Sequence, residues 1–258
     1  MTEAVPLPAS TVLLLRDGTE GLEVFMVTRH QKSSFLGGAL VFPGGGVDAA
    51  DRDPRHAISA ESIESEDLVY RIAAIREVFE ETGMLLAARR GEAALLGPEA
   101  LAPIEARWRT RLNAGAARFA ELLDAEELVA APGLLVPFAH WITPAILPKR
   151  FDTRFYVVRA PEGQLGLHDD RELTGSRWIR PQDALDEAAA KRVRIVFATR
   201  LNLEILGRCA DVEAALTAAR ERPIVPVLPV VTRDIEGGTI RIPAEAGYGI
   251  TEMALDDY

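Results

Sequence analysis

Three glutamates, Glu77, Glu80 and Glu81, are spaced three and four residues apart within the segment Arg76–Met84. On a helix, this spacing places all three carboxylates on one face. Like charges at such close range repel one another unless a cation lies between them, and Mg²⁺ and Mn²⁺ prefer oxygen ligands. The segment therefore predicts an enzyme that depends on Mg²⁺ or Mn²⁺, while an ordinary acidic surface helix is the alternative that the glutamates alone leave open.

The surrounding residues predict the helix that this arrangement requires. Leu68, Ile72, Ile75 and Phe79 repeat at spacings of four, three and four residues and form an apolar stripe opposite the glutamates. Gly83 is suited to the position at which the helix ends. The pattern thus indicates a helix that buries one face and presents carboxylates on the other.

A glycine-rich turn precedes this helix. The segment Phe42–Asp48 begins as an apolar strand end and continues through three consecutive glycines. Glycine allows the backbone to approach a ligand or another chain segment closely. A glycine turn alone is a weak signal, but one that leads into a three-carboxylate helix favours a functional site.

Together, these two segments resemble the Nudix box, the motif of the Nudix hydrolase superfamily. The second half of the box matches at every specified position from Arg76 to Met84. In the first half, Asp51 stands where the family pattern has glutamate, and 17 extra residues separate it from Arg76. The interrupted box, with the segments Trp141–Pro144 and Arg150–Thr153, resembles the branch that contains coenzyme A diphosphatases.

The order of strand-like and helix-like segments predicts one mixed α/β domain. The resemblance implies the Nudix-type α/β/α sandwich with a mixed sheet, spanning residues 1–222. Two predicted helices, Pro98–Asn113 and Ala116–Ala130, form a helical insert at about 98–131. Residues 223–258 are β-like and proline-rich, with a predicted turn at Gly237-Gly238, and we expect them to pack on the same domain as a C-terminal extension.

The resemblance also implies hydrolysis of the diphosphate bond in a nucleoside diphosphate derivative. The expected metal ligands are Glu77, Glu80, Glu81 and the backbone carbonyl of Gly45. Glu77 is also a candidate base for the attacking water. Arg76 is expected to orient Glu77 or to pair with Glu80 one turn away.

Further candidates lie outside the box. Glu172 is the expected additional catalytic carboxylate from a later loop, although a solvated acidic loop has the same composition. Arg29, His30, Arg150 and Arg154 are candidates for binding the substrate phosphates, with plain surface charge as the alternative for each.

Composition excludes several classes of protein. The net charge of −10 argues against binding to nucleic acid or to an acidic membrane. No apolar run approaches the ~18 residues that a membrane span requires, and residues 1–10 do not resemble a signal peptide. The single cysteine, Cys209, excludes an intramolecular disulfide. We expect a cytoplasmic protein, and analogy with related folds suggests a homodimer.

Coenzyme A or an acyl-coenzyme A is the preferred substrate on this resemblance, with ADP-ribose or a dinucleotide cofactor as the alternative. A non-catalytic Nudix module that senses a nucleotide is an alternative of a different class. Such a sensor predicts a degraded glutamate set or a basic recognition helix. The complete set at Glu77, Glu80 and Glu81 favours the enzyme.

Overall fold

A computed structural model describes residues 4–30, 37–53, 55, 63–164, 166, 173–234 and 237–255. The helices are α1 (Ser65–Thr82), α2 (Pro98–Asn113), α3 (Phe119–Ala125), α4 (Pro181–Ala189), α5 (Phe197–Leu206) and α6 (Val212–Glu221). The strands are β1 (Leu7–Gly18), β2 (Gly21–Arg29), β3 (Leu40–Val41), β4 (Gly44–Gly46), β5 (Ala87–Arg89), β6 (Leu128–Ala130), β7 (Val136–Ile142), β8 (Phe151–Arg159), β9 (Leu173–Ile179), β10 (Pro226–Val227), β11 (Val230–Asp234), β12 (Gly237–Arg241) and β13 (Glu252–Ala254).

An eight-stranded mixed sheet forms the centre of the molecule. Its strand order is β10-β7-β8-β1-β2-β3, with β4 also pairing with β1 and β9 with β2. Strand β1 runs parallel to β8 from the pair Leu7–Phe151 to the pair Leu15–Arg159. On its other edge, β1 pairs antiparallel with the glycines of β4 and then with β2. The predicted mixed sheet is confirmed.

Helices cover both faces of this sheet because the side chains of β1 alternate between two cores. Val12 and Leu14 contribute to the core beneath α1, α2 and α3. Leu13 and Leu15 point the other way and pack with residues of α4, α5, α6 and the C-terminal segment. The α/β/α sandwich predicted from the sequence is therefore confirmed.

The helical insert contains two helices and a short two-stranded sheet. Helix α2 has the predicted bounds, but the second predicted helix is wrong in its last part, since α3 ends at Ala125. Residues Leu128–Ala130 instead form β6, which pairs antiparallel with β5. Backbone pairing with a segment some 40 positions earlier thus overrides the local helix propensity.

The C-terminal extension adds strand β10 to the main sheet, beside β7, and then forms a separate three-stranded sheet. The predicted turn at Gly237-Gly238 is wrong, because both glycines lie in β12 and pair with Asp234 and Arg233 of β11. Tyr248 anchors the extension. Its buried hydroxyl accepts a hydrogen bond from Trp141 Nε1 and donates one to Asn202 Oδ1, both at 2.9 Å. The division into a domain of residues 1–222 and an extension of 223–258 stays a prediction.

Within the part of the chain that the structure describes, no helix combines the length and the apolar character needed to cross a membrane.

Candidate active site

Helix α1 carries the three glutamates, as the sequence predicts. Ile72, Ile75 and Phe79 are fully buried against the sheet. Gly83 ends the helix in the left-handed conformation, at φ +76°, and its N–H donates to the carbonyl of Phe79. Both the predicted helix and its stop at Gly83 are confirmed.

Arg76 joins the two halves of the interrupted box. Its Nε and Nη2 atoms donate to Asp51 Oδ1 and Oδ2 at 2.8 and 3.0 Å. Asp51 is 2 % exposed, and its Oδ2 also accepts the N–H of Asp48 at 2.7 Å. The 17 extra residues therefore leave this contact intact, and Asp51 takes part in the site by holding Arg76.

The same guanidinium contacts two of the glutamates. Arg76 Nη1 lies 2.8 Å from Glu77 Oε1 and 3.2 Å from Glu80 Oε2. The single positive charge of Arg76 is thus shared by three carboxylates, those of Asp51, Glu77 and Glu80. Burial raises the pKa of Glu80 to about 7; Glu77 and Asp51 add to this rise, and Arg76 opposes it. The excess of negative charge favours an additional cation at this position.

The glycine strand β4 lies directly beside these carboxylates. The N–H of Gly44 donates to Glu81 Oε2 at 2.9 Å. A Cβ atom on Gly45 would lie 2.5 Å from the carboxyl carbon of Glu77, which is too close for any real contact. The absence of a side chain at Gly45 therefore allows the Glu77 carboxylate to lie against the strand.

Helix α2 of the insert fixes the other end of α1. Arg109 donates from Nε to the carbonyl of Glu80 at 3.0 Å and from Nη2 to the carbonyl of Glu81 at 2.7 Å. Asn113 Nδ2 donates to the same Glu80 carbonyl at 3.2 Å. These carbonyls belong to the last turn of α1, where no partner within the helix is available, and a cation is favourable there. Arg109 and Asn113 escape sequence analysis because no local pattern marks a contact across this distance.

The three glutamates line a cleft with a volume of about 1040 Å³. Three cationic side chains among the described residues also line it: Arg29, Lys149 and Arg194. Much of the remaining lining is apolar and comes from several elements and from the C-terminal extension: Phe42, Trp141, Ile146, Leu147, Phe151, Phe155, Phe197, Pro229, Val231, Ile240 and Leu255. The cleft therefore combines an acidic end, a set of cations and an extended apolar surface.

The predicted phosphate-binding residues are only partly brought together. Arg29 lines the cleft, but His30 does not. Arg150 is 4 % exposed and donates to the carbonyls of Thr143 and Ala4, so it supports the chain around the cleft. Arg154 lies 4.0 Å from the ring centre of Tyr70, outside the cleft lining.

Two cations that sequence analysis missed, Lys149 and Arg194, line the cleft instead. Lys149 directly precedes Arg150, which the sequence predicts as a phosphate-binding residue. Two consecutive basic residues are the feature of the sequence that could have indicated Lys149. Glu172, the predicted further carboxylate, lies outside the described residues. The substrate-binding and catalytic roles of all these residues stay predictions.

The donors fit a hard divalent cation by chemistry, since they are carboxylate and carbonyl oxygens with excess negative charge. However, among the residues that the structure describes, no three Asp, Glu, His or Cys side chains are gathered closely enough to hold a metal ion. Arg76 lies between Glu77 and Glu80, and Gly44 holds Glu81. Metal binding therefore requires the glutamate side chains to converge, and the metal assignment stays a prediction.

Comparisons with known proteins identify the family of this chain. The family model of the NUDT19 Nudix domain matches residues 53–199, which is more than half of the chain. The chain is 25% identical over 227 residues to the acyl-coenzyme A diphosphatase NUDT19 of Xenopus laevis, covering 70% of this chain and 58% of that protein. It is 28% identical over 218 residues to the human protein of the same name, covering 67% and 57%. The chain thus spans less than two thirds of the length of these relatives.

A solved structure supports the same assignment. The NUDIX hydrolase from Alicyclobacillus acidocaldarius superimposes with a TM-score of 0.68 at 26% identity, covering 84% of this chain and 97% of that one. The resemblance to the coenzyme A diphosphatase-like branch is confirmed by the family model and by the NUDT19 relatives. By its family match, its fold and its interrupted box, the chain belongs to the NUDT19 Nudix domain family of the Nudix hydrolase superfamily.

Proposed function

We propose that this protein hydrolyses the diphosphate bond of a nucleoside diphosphate derivative with Mg²⁺ or Mn²⁺, and that coenzyme A or an acyl-coenzyme A is its preferred substrate. The main support is the placement of Glu77, Glu80 and Glu81 in a cleft that also contains cationic side chains. A diphosphate carries negative oxygens that need both a metal and cationic partners. The names of the NUDT19 relatives support the choice of substrate.

The residues of the site have separate roles in this proposal. Glu77, Glu80 and Glu81, with the Gly45 carbonyl, would hold the metal. A bound divalent cation would polarise the diphosphate and lower the pKa of a water molecule. Glu77 would accept the proton of the attacking water, and Arg76, whose Nη1 lies 2.8 Å from Glu77 Oε1, would orient that carboxylate.

The cations act on the substrate itself. Arg29, Lys149 and Arg194 line the cleft together with the glutamates and would pair with phosphate oxygens. Arg109 has a positioning role, because it fixes the last turn of α1, on which Glu80 and Glu81 lie. An Arg109→Lys variant should lose the paired contacts to both carbonyls and lower kcat more than it raises KM.

The proposal is tested by offering the purified protein, with Mg²⁺ or Mn²⁺, coenzyme A, acetyl-coenzyme A, ADP-ribose, NADH and nucleoside triphosphates. Chromatography should detect 3′,5′-ADP and a phosphopantetheine from the coenzyme A substrates. Preferential turnover of ADP-ribose or NADH would overturn the substrate choice. Absence of turnover with all of them would overturn the enzymatic function.

Two variants and one control test the site. Glu80→Gln and Glu81→Gln should each lower kcat by orders of magnitude, since each removes a predicted metal ligand. Glu66→Gln is the matched control, because Glu66 lies on the first turn of the same helix, is largely exposed and is outside the cleft lining. Full activity in the first two variants, or an equal loss in the control, would show that the assigned site is wrong.

A further inference from the structure

The C-terminal extension supplies part of the wall of the cleft. Four of its residues, Pro229, Val231, Ile240 and Leu255, line the same cavity as the glutamates. All four are aliphatic, and all lie beyond residue 199, where the match to the family model ends. This wall is therefore a property of the chain outside the matched domain.

The strand register places the extension at a distance from the glutamates. Gly45 of β4 pairs with Ser10 of β1, and the neighbouring Ala9 pairs with Thr153 of β8. Thr153 in turn pairs with Trp141 of β7, beside which β10 begins the extension. Three strand spacings of ~4.8 Å separate β4 from β7, or about 14 Å. The glycine strand beside the glutamates and the strand that begins the extension are thus separated by at least this distance across the sheet.

Further aliphatic side chains line this cavity from the loop that follows β7. Ile146 and Leu147 line the cleft and are 59% and 39% exposed. Aliphatic side chains exclude water and make dispersion contacts, but they offer neither hydrogen bonds nor a ring face for a base. Their natural ligand is a hydrocarbon chain, since burial of apolar surface is their only strong source of affinity.

We infer that Pro229, Val231 and Leu255 of the extension, with Ile146 and Leu147, form a subsite for the acyl chain of an acyl-coenzyme A. The inference takes its substrate from the function proposed above. With the diphosphate at the glutamates, the pantetheine arm crosses the cleft floor and carries the acyl group to the aliphatic wall. The extension then determines specificity for the length of the acyl chain.

Equilibrium binding tests the subsite without relying on catalysis. Dissociation constants are measured by calorimetry with Ca²⁺ in place of Mg²⁺ for coenzyme A and for its acetyl, hexanoyl and decanoyl thioesters, each below its critical micelle concentration, and the samples are checked for hydrolysis afterwards. Each methylene group that enters the wall should tighten binding roughly fourfold. The kcat/KM values for the same series are measured in parallel with Mg²⁺.

Strand β11 offers a matched pair of variants. Val231 lines the cleft, whereas its neighbour Val230 is 58% exposed and does not. Val231→Thr alone, the match of Val230→Thr, should weaken binding of the decanoyl thioester, and its combination with Leu255→Ser should weaken it about tenfold; both should leave binding of coenzyme A unchanged. Val230→Thr should alter neither. Circular dichroism and thermal unfolding confirm that each variant is folded.

Binding constants and turnover rates test the acyl-chain subsite and the proposed hydrolysis separately. Turnover of coenzyme A with dissociation constants that do not change with acyl length would overturn the subsite and leave the function intact. Tighter binding of longer chains that the Val231→Thr/Leu255→Ser variant removes would support the subsite, even if no substrate is turned over. Equal effects of the Val230→Thr control and the double variant would overturn the subsite.

Discussion

Three consecutive glycines, Gly44, Gly45 and Gly46, allow a sharp test of the active site, because a methyl group added at each one meets different surroundings. At Gly45 the new Cβ would lie 2.5 Å from the Glu77 carboxyl carbon. At Gly46 it would meet nothing within 4 Å. Neither residue has a positive φ, so alanine suits the backbone at both positions.

The Gly45→Ala variant should damage activity more than stability. The Glu77 carboxylate must move from 2.5 Å to at least 3.4 Å from the new methyl group, a shift of about 0.9 Å. It can do so because it is the end of a flexible side chain. The shift displaces the carboxylate from the position in which it accepts the 2.8 Å hydrogen bond of Arg76. A displacement of about 1 Å in an active site costs roughly 100-fold in rate, whereas the free energy of unfolding should change by no more than about 1 kcal/mol.

The assay compares kcat for the substrate that the protein turns over, the Mn²⁺ dissociation constant from calorimetry, and the midpoint of urea unfolding. Gly46→Ala should match the wild type in all three. Gly44→Ala should instead destabilise the fold by about 2 kcal/mol or more, since Gly44 has φ +152° and its Cβ would lie 2.2 Å from the carbonyl oxygen of Ser10. Wild-type kcat and Mn²⁺ affinity in Gly45→Ala, or equal losses in Gly45→Ala and Gly46→Ala, would refute the assigned geometry.

Three further predictions concern groups that support the site. Asp51→Asn should lower the free energy of unfolding by about 2 kcal/mol in urea titrations, because it removes the charge of a 2 % exposed partner of Arg76; an unchanged midpoint would contradict this. Burial disfavours the charged form of Asp67, but hydrogen bonds from Tyr156 and Arg71 outweigh it and hold its pKa below the ordinary value. The resulting stability is present above about pH 4 and is lost as the pH falls through the folded-state pKa of Asp67. In Asp67→Asn, the midpoint of thermal unfolding should therefore fall less steeply as the pH is lowered below about 4. An unchanged pH dependence of this midpoint would contradict the ion-pair assignment. Tyr248→Phe should cost about 1–2 kcal/mol in the same urea assay, since the buried N–H of Trp141 loses its acceptor; no change would show that this hydroxyl does not anchor the extension.

The helix and its carboxylate face could be predicted from the sequence because both depend on local spacing. The repeat of Ile72, Ile75 and Phe79 sets which face is buried, and the glutamates follow from the same periodicity. The stop at Gly83 is equally local, since a left-handed residue at a helix end favours glycine. The same motif also predicts the overall α/β/α fold, because it resembles the Nudix box of a known family.

Strand pairing explains where sequence prediction was wrong. The segment Leu128–Ala130 has helical composition but pairs with Ala87–Arg89 as a strand. Gly237-Gly238 has the composition of a turn, yet both residues pair with β11. For Leu128–Ala130 the backbone hydrogen bonds of a distant segment outweigh the local preference, whereas Gly237 and Gly238 pair with residues only three and five positions earlier, in the preceding strand.

The sequence by itself determined the chemistry of this protein: an oxygen-rich, negatively charged helix face beside a glycine strand. The tertiary structure alone decided how that chemistry is supported and which residues surround it. Folding brings Asp51 to Arg76 across the insertion and places Arg109 on the last carbonyls of α1. It also directs Lys149 to the cleft while it buries the adjacent Arg150. Such contacts join residues far apart in the chain, and no local periodicity encodes them, whereas the spacing of the glutamates is a property of one helix turn.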